Sequence, residues 1–113
     1  MKLSDKFGPA WQGLLTGLKD GSVIIQFALA MLAALVFLFI GISYYEWLIV
    51  VIMTALVILS EWLNSIVENV VDYISQEIHP QAKSIKDMSA ALVLLAAFFA
   101  VLSAVLILIN NIF

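Results

Sequence analysis

Residues 47–79, WLIVVIMTALVILSEWLNSIVENVVDYISQEIH, are the stretch on which the reading of this chain turns. Trp47 to Ser60 is apolar almost throughout, and the segment then continues with Glu61, Asn64, Ser65, Glu68 and Asp72. No glycine or proline interrupts it before Pro80, so a single helix of about thirty residues is expected, ending where proline removes a backbone donor. The apolar part alone is short for a membrane crossing, because a hydrocarbon core of about 30 Å takes roughly 20 helical residues. The first part of the helix is expected in lipid, and its last turns project from the membrane or lie against neighbouring helices. Polar groups that remain inside must face protein or water, since a charge facing lipid is expensive.

Two further stretches are easier to read. Gly21 to Tyr45 and Met88 to Phe113 are charge-free runs dense in Leu, Ala, Val, Ile and Phe, each long enough to span. Before the first of them, Leu3, Phe7, Trp11, Leu14 and Leu18 recur at helical spacing, with Lys6, Gln12, Thr16 and Lys19 on other faces. That pattern predicts an amphipathic helix lying in the membrane interface, with Gly8 and Pro9 bending it or delaying its start. The expected fold class is an all-α membrane protein: a surface helix over residues 3–20 and spans at about 22–43, 47–77 and 86–112. The 113 residues make one domain.

Bulk composition agrees. Hydrophobic residues make up 65% and charged residues 12%, against about 45–50% and roughly 25% in ordinary soluble domains, so lipid must cover the excess. The net charge is −3 with no basic run, which excludes a nucleic-acid footprint. With no cysteine there is no disulfide framework, thiol catalysis or cysteine metal site. Charges scattered through the first twenty residues leave no compact apolar run before a cleavage site, so no cleavable signal peptide is expected. Lys2, Lys6 and Lys19 precede the first span, Lys83 and Lys86 lie between the second and third, and Tyr44-Tyr45-Glu46 has no basic residue. The positive-inside bias then puts the N-terminus and the second connection in the cytoplasm and the C-terminus outside.

Glu61, Asn64, Glu68 and Asp72 fall within an arc of roughly 80° on one helix face, extended by Thr54 and Ser65. Carboxylates four residues apart repel unless a cation or a proton relieves them. A divalent cation such as Mg²⁺, shared with substrate phosphates, is one explanation. General-base work by a carboxylate near lipid is a second. A solvated face on a protruding helix, or hydrogen bonding between helices, explains the same spacing. Glu61 and Asn64 follow directly on the apolar stretch, which argues against free solvation of those two. A pore lining is disfavoured because Trp47 to Met53 offers nothing polar. Lys86 and Asp87 stand where the third span begins. Ser84-x-x-Asp87 reads as a capping-box-like helix start, while a lysine near the carboxylates could hold a polyphosphate. His79, the only histidine, sits before Pro80 in a structural setting. The sequence holds neither GxxxxGK[ST] nor GxGxxG, and no nucleophile triad.

The run Glu61-x-Leu63-Asn64-Ser65-x-x-Glu68-x-Val70-Val71-Asp72 resembles the signature of the prokaryotic diacylglycerol kinase family, which includes undecaprenol kinases. Lys86-Asp87-Met88 with the alanines that follow, the Glu61-to-Lys86 distance, and Ala10-Trp11-x-Gly13-Leu14 carry the likeness over nearly the whole chain. The resemblance implies a homotrimer in the bacterial inner membrane with shared sites near the cytoplasmic interface, transferring the γ-phosphate of ATP to a lipid hydroxyl with Mg²⁺. It further implies Glu61 as general base, with Asn64 helping to position the hydroxyl. Glu68 would be a metal ligand, Asp72 a support of the nucleotide site, and Lys86 with Asp87 the groups that contact or organise the phosphates. Two departures stand out. The family's second metal-binding glutamate falls at Gly21, beside Asp20, which could replace it; and the chain has no arginine, leaving Lys2, Lys6 and Lys19 as the basic residues near the nucleotide. Ser65 and Val70-Val71 lean toward diacylglycerol as substrate. Undecaprenol, or a non-catalytic subunit of the same fold, is the alternative.

Overall fold

The computed structural model describes residues 2–74 and 79–113 as four helices: α1 Leu3–Gly17, α2 Gly21–Ile40, α3 Tyr44–Ile74 and α4 Pro80–Ile112. Helices α2, α3 and α4 are each long and apolar enough to cross a membrane, with mean hydropathies of 2.8, 2.0 and 3.1 over an 18-residue window of each. The end expected for the second span, near residue 77, lies outside the described residues.

Each boundary has a local cause. Helix α1 begins at Leu3 and runs through Pro9 rather than starting after it, although the proline removes one bond of the ladder and crowds the Asp5 carbonyl one turn back. It closes early, at Gly17, and Asp20 then caps α2: its Oδ1 accepts from the backbone N–H of Ser22 at 2.9 Å and of Val23 at 3.2 Å. Helix α2 ends at Gly41, whose φ of 79° glycine alone adopts freely, and whose N–H reaches the Phe37 carbonyl. Ser43 and Glu46 then form a reciprocal capping box at the start of α3. The Ser43 N–H donates to Glu46 Oε1 at 3.0 Å, and the Glu46 N–H to Ser43 Oγ at 3.3 Å.

The start of α4 differs from the sequence expectation. Ser84-x-x-Asp87 does not open the helix. His79 does, its Nδ1 accepting from the Gln81 N–H at 3.1 Å, with Pro80 in the first helical position. Proline suits that position because its fixed φ is helical and its absent donor would have been unpaired there anyway. Ser84 and Asp87 therefore lie inside the helix, past its first turn.

Helix α4 packs chiefly along α3, and α2 packs along α3 less extensively. Their far ends are tied by side chains, since Asn110 and Asn111 donate to Glu46 Oε2 at 3.2 and 2.9 Å. The inner face of α2 is Val23, Gln26, Ala30, Ala33 and Phe37, alternately three and four residues apart. With alanines of α4 it borders an open cleft of about 260 Å³ between the helices. Of the large apolar residues described, only Val23, Phe37 and Ile107 are buried. Leucine, isoleucine and phenylalanine cover the outside of all three long helices, a surface that water would not tolerate on a soluble monomer.

Helix α1 meets the bundle through Gly17, where an added Cβ would run into the indole ring of Trp62 on α3. Gly13, by contrast, faces open space. Gly17→Ala is therefore expected to loosen α1 and cost about 1–3 kcal/mol through overpacking, whereas Gly13→Ala leaves stability unchanged or raised. Thermal unfolding in detergent, with the rate of proteolysis within α1, checks the contrast.

Candidate functional site

The stripe on α3 is graded from buried to exposed. Glu61 is only 9% exposed, Asn64 is half-buried, and Glu68 and Asp72 are exposed. The gradient separates the two readings that spacing left open. The far end of the stripe has the character of a solvated face, while Glu61 and Asn64 are enclosed by protein.

Glu61 faces α2. The Gln26 side-chain amide donates from Nε2 to Glu61 Oε2 at 3.4 Å, the one hydrogen bond to this carboxylate among the described residues. Its other oxygen, Oε1, carries no bond there. One turn along, Asn64 Oδ1 is buried without a partner, as is the hydroxyl of Ser89 on α4, a residue 5% exposed. Buried polar atoms nearly always find partners, and an unmade bond of this kind costs about 1–3 kcal/mol.

Toward the exposed end, Lys86 of α4 reaches Asp72 of α3 at 2.5 Å, joining the two helices. Asp87 does not face that pair. It binds Lys83 at 2.6 Å, one turn back on its own helix. Sequence reasoning grouped Lys86 and Asp87, but the structure gives the lysine an interhelical partner and the aspartate a local one. The Lys83–Asp87 pair is exposed on both sides, and such pairs contribute only about 0–1 kcal/mol, whereas in the interhelical pair Asp72 is exposed and Lys86 half-buried.

Asp20 is committed through Oδ1 to the α2 cap, while Oδ2 has no described partner. Lys19, beside it, is exposed and forms no ion pair among the described residues. Glu68 carries no described hydrogen bond. The described residues hold no cluster of three or more metal-ligating side chains. Uncommitted carboxylate oxygens on Glu68 and Asp20 nevertheless suit Mg²⁺ chemically. That ion takes one or two protein carboxylates and completes its shell with water and substrate phosphates.

Gln26 escaped sequence reasoning. The signal was there: it is the one polar residue between Val23 and Ile40, and a lone amide in such a run must seek a partner inside the bundle.

A family model described as prokaryotic diacylglycerol kinase matches residues 8–108. The chain belongs to that family. The match takes in part of α1, all of α2 and α3 and nearly all of α4, and with them every residue placed above from Asp20 to Ser89. A search of curated proteins returned no match. As a member of the prokaryotic diacylglycerol kinase family, with three helices able to cross a bilayer, the protein is a membrane lipid kinase, a transferase of lipid metabolism.

If the exposed stripe serves chemistry rather than folding, Asp72→Asn changes stability by less than about 1 kcal/mol. Asn64→Leu removes an orphaned acceptor and is expected to raise stability by about 1 kcal/mol. Thermal unfolding of both variants in one detergent tests this, and a large destabilisation by either would assign it a structural role.

Proposed function

We propose that the protein transfers the γ-phosphate of ATP to the hydroxyl of diacylglycerol, giving phosphatidic acid, with Mg²⁺ required. The observation that carries this is Glu61, an enclosed carboxylate at the membrane-proximal end of the stripe with one oxygen held and the other uncommitted, in a chain of a lipid kinase family. Phosphoryl transfer asks little covalent chemistry of the protein; it needs an oriented nucleophile and neutralised phosphate charge.

In this reading Glu61 Oε1 accepts the proton of the lipid hydroxyl as that oxygen bonds to the γ-phosphorus. The bond from the γ-phosphorus to the β,γ-bridging oxygen breaks, and ADP leaves with the electron pair. Asn64 positions the lipid beside Glu61. Lys86 leaves Asp72, whose carboxylate is exposed and can be taken up by water, for the phosphates. Asp72, Asp87 and Lys19 support the nucleotide. Glu68 and Asp20 would hold Mg²⁺, which when bound supplies neutralisation of the phosphate charge. Ser65 and Val70-Val71 favour diacylglycerol over undecaprenol.

A homotrimer in the bacterial inner membrane, with the Glu61–Asp72 end cytoplasmic, is part of the same proposal. What supports a site shared between copies is size, since a chain of 113 residues is too small to enclose ATP and a lipid alone.

Phosphate transfer from labelled ATP to diacylglycerol and to undecaprenol in mixed micelles with Mg²⁺ tests the proposal. Transfer to diacylglycerol is expected, falling by about 10²–10⁴ in Glu61→Gln and reduced in Asp20→Asn. Transfer confined to undecaprenol would replace the substrate, and no transfer to either lipid from folded protein would point to a non-catalytic member of the family.

A further inference from the structure

We infer that Gln26 is a positioning residue for Glu61, fixing which carboxylate oxygen is presented to the lipid hydroxyl; this rests on the proposed role of Glu61 as general base. Three observations converge on it. Gln26 is the sole polar side chain on the inner face of α2, between Val23, which is fully buried, and Ala30, Ala33 and Phe37. Its Nε2 lies 3.4 Å from Glu61 Oε2, a contact between residues 35 apart in sequence. No other described side chain or backbone group donates to that carboxylate, although Glu61 is buried.

The geometry gives the amide a specific task. A glutamate has three side-chain torsions, and on a helix surface it samples several of them. With Oε2 held from α2, rotation of the carboxylate about its last torsion is restrained and Oε1 is left toward whatever approaches along α3. Holding a base within hydrogen-bond reach of its proton is where much of the rate of general-base catalysis resides. The donor also takes the place of water for one oxygen of a carboxylate that burial has stripped of solvent. Glutamine suits the position because its amide donates without adding a charge inside the bundle, which lysine or arginine would do.

The inference is tested with Gln26→Met, which keeps the length and volume of the side chain and removes the donor. In the transfer assay kcat is expected to fall about tenfold to a hundredfold, with KM for MgATP within about twofold of the parent. Glu61→Asp pulls the carboxylate back from Gln26. Adding Gln26→Met to that variant is therefore expected to cost little more, whereas equal losses in both backgrounds would mean that Gln26 acts only through packing and overturn the inference. An unchanged kcat in Gln26→Met, with transfer abolished in Glu61→Gln, overturns it too. Full transfer by Glu61→Gln instead removes the base reading on which it rests. A second measurement leaves Gln26 in place: its side-chain amide NMR signals in the detergent-solubilised protein should shift on Glu61→Gln. Signals that stay fixed would show that the hydrogen bond is not made.

Discussion

A carboxylate on a helix that crosses a bilayer must be covered by protein, and much of this molecule's arrangement answers that requirement at Glu61. Exposure to lipid would be prohibitive for a charged side chain. The α3 helix therefore turns its polar stripe inward where it is deepest, and α2 brings Gln26 across to meet it. The neighbouring residues on the inner face of α2 are small or fully buried, so the backbone can come close enough for a glutamine side chain to bridge the gap. Only farther along, at Glu68 and Asp72, does the stripe become exposed and water take over this role.

The ends of the long helices are held by polar groups outside the apolar layer. At one end Glu46 serves two functions at once, capping α3 with Ser43 and accepting from Asn110 and Asn111 of α4. At the other end Lys86 links α4 to Asp72 of α3. Between them the contacts are almost wholly apolar, and alanines on α4 and α2 leave a cleft rather than a filled core. Without a hydrophobic driving force between helices in lipid, packing of this kind relies on close approach and a few hydrogen bonds. Those bonds fix the lateral register of α4 against α3, while α2 is joined to α3 by its own packing and by the Gln26–Glu61 bond.

Much of the candidate site was legible in the sequence because helical spacing converts directly into a shared face. Glu61, Asn64, Glu68 and Asp72 lie on one stripe whatever surrounds them, and the resemblance to a lipid kinase family, which the family match shows, rests on the same residues. Two local patterns are overridden in the fold. Ser84 and Asp87 fit a capping pattern, yet Pro80 with the His79 ring started the helix earlier, and Asp87 turned to Lys83. Pro9 did not delay α1, which begins at Leu3 with an Asp5 carboxylate accepting from the Lys2 N–H.

The sequence by itself therefore determined three helices able to cross a membrane, a helix ahead of them, and the polar stripe, since all of these follow from hydropathy and a period of 3.6 residues. What it could not determine was which members of the stripe are enclosed and what meets them. Burial of Glu61, its bond from Gln26, the Asp72–Lys86 link and the close approach of Gly17 to Trp62 each join residues far apart in the chain. Such contacts depend on the rotation and lateral register of one helix against another. Periodicity says which residues share a face, but only packing says which neighbour that face will meet.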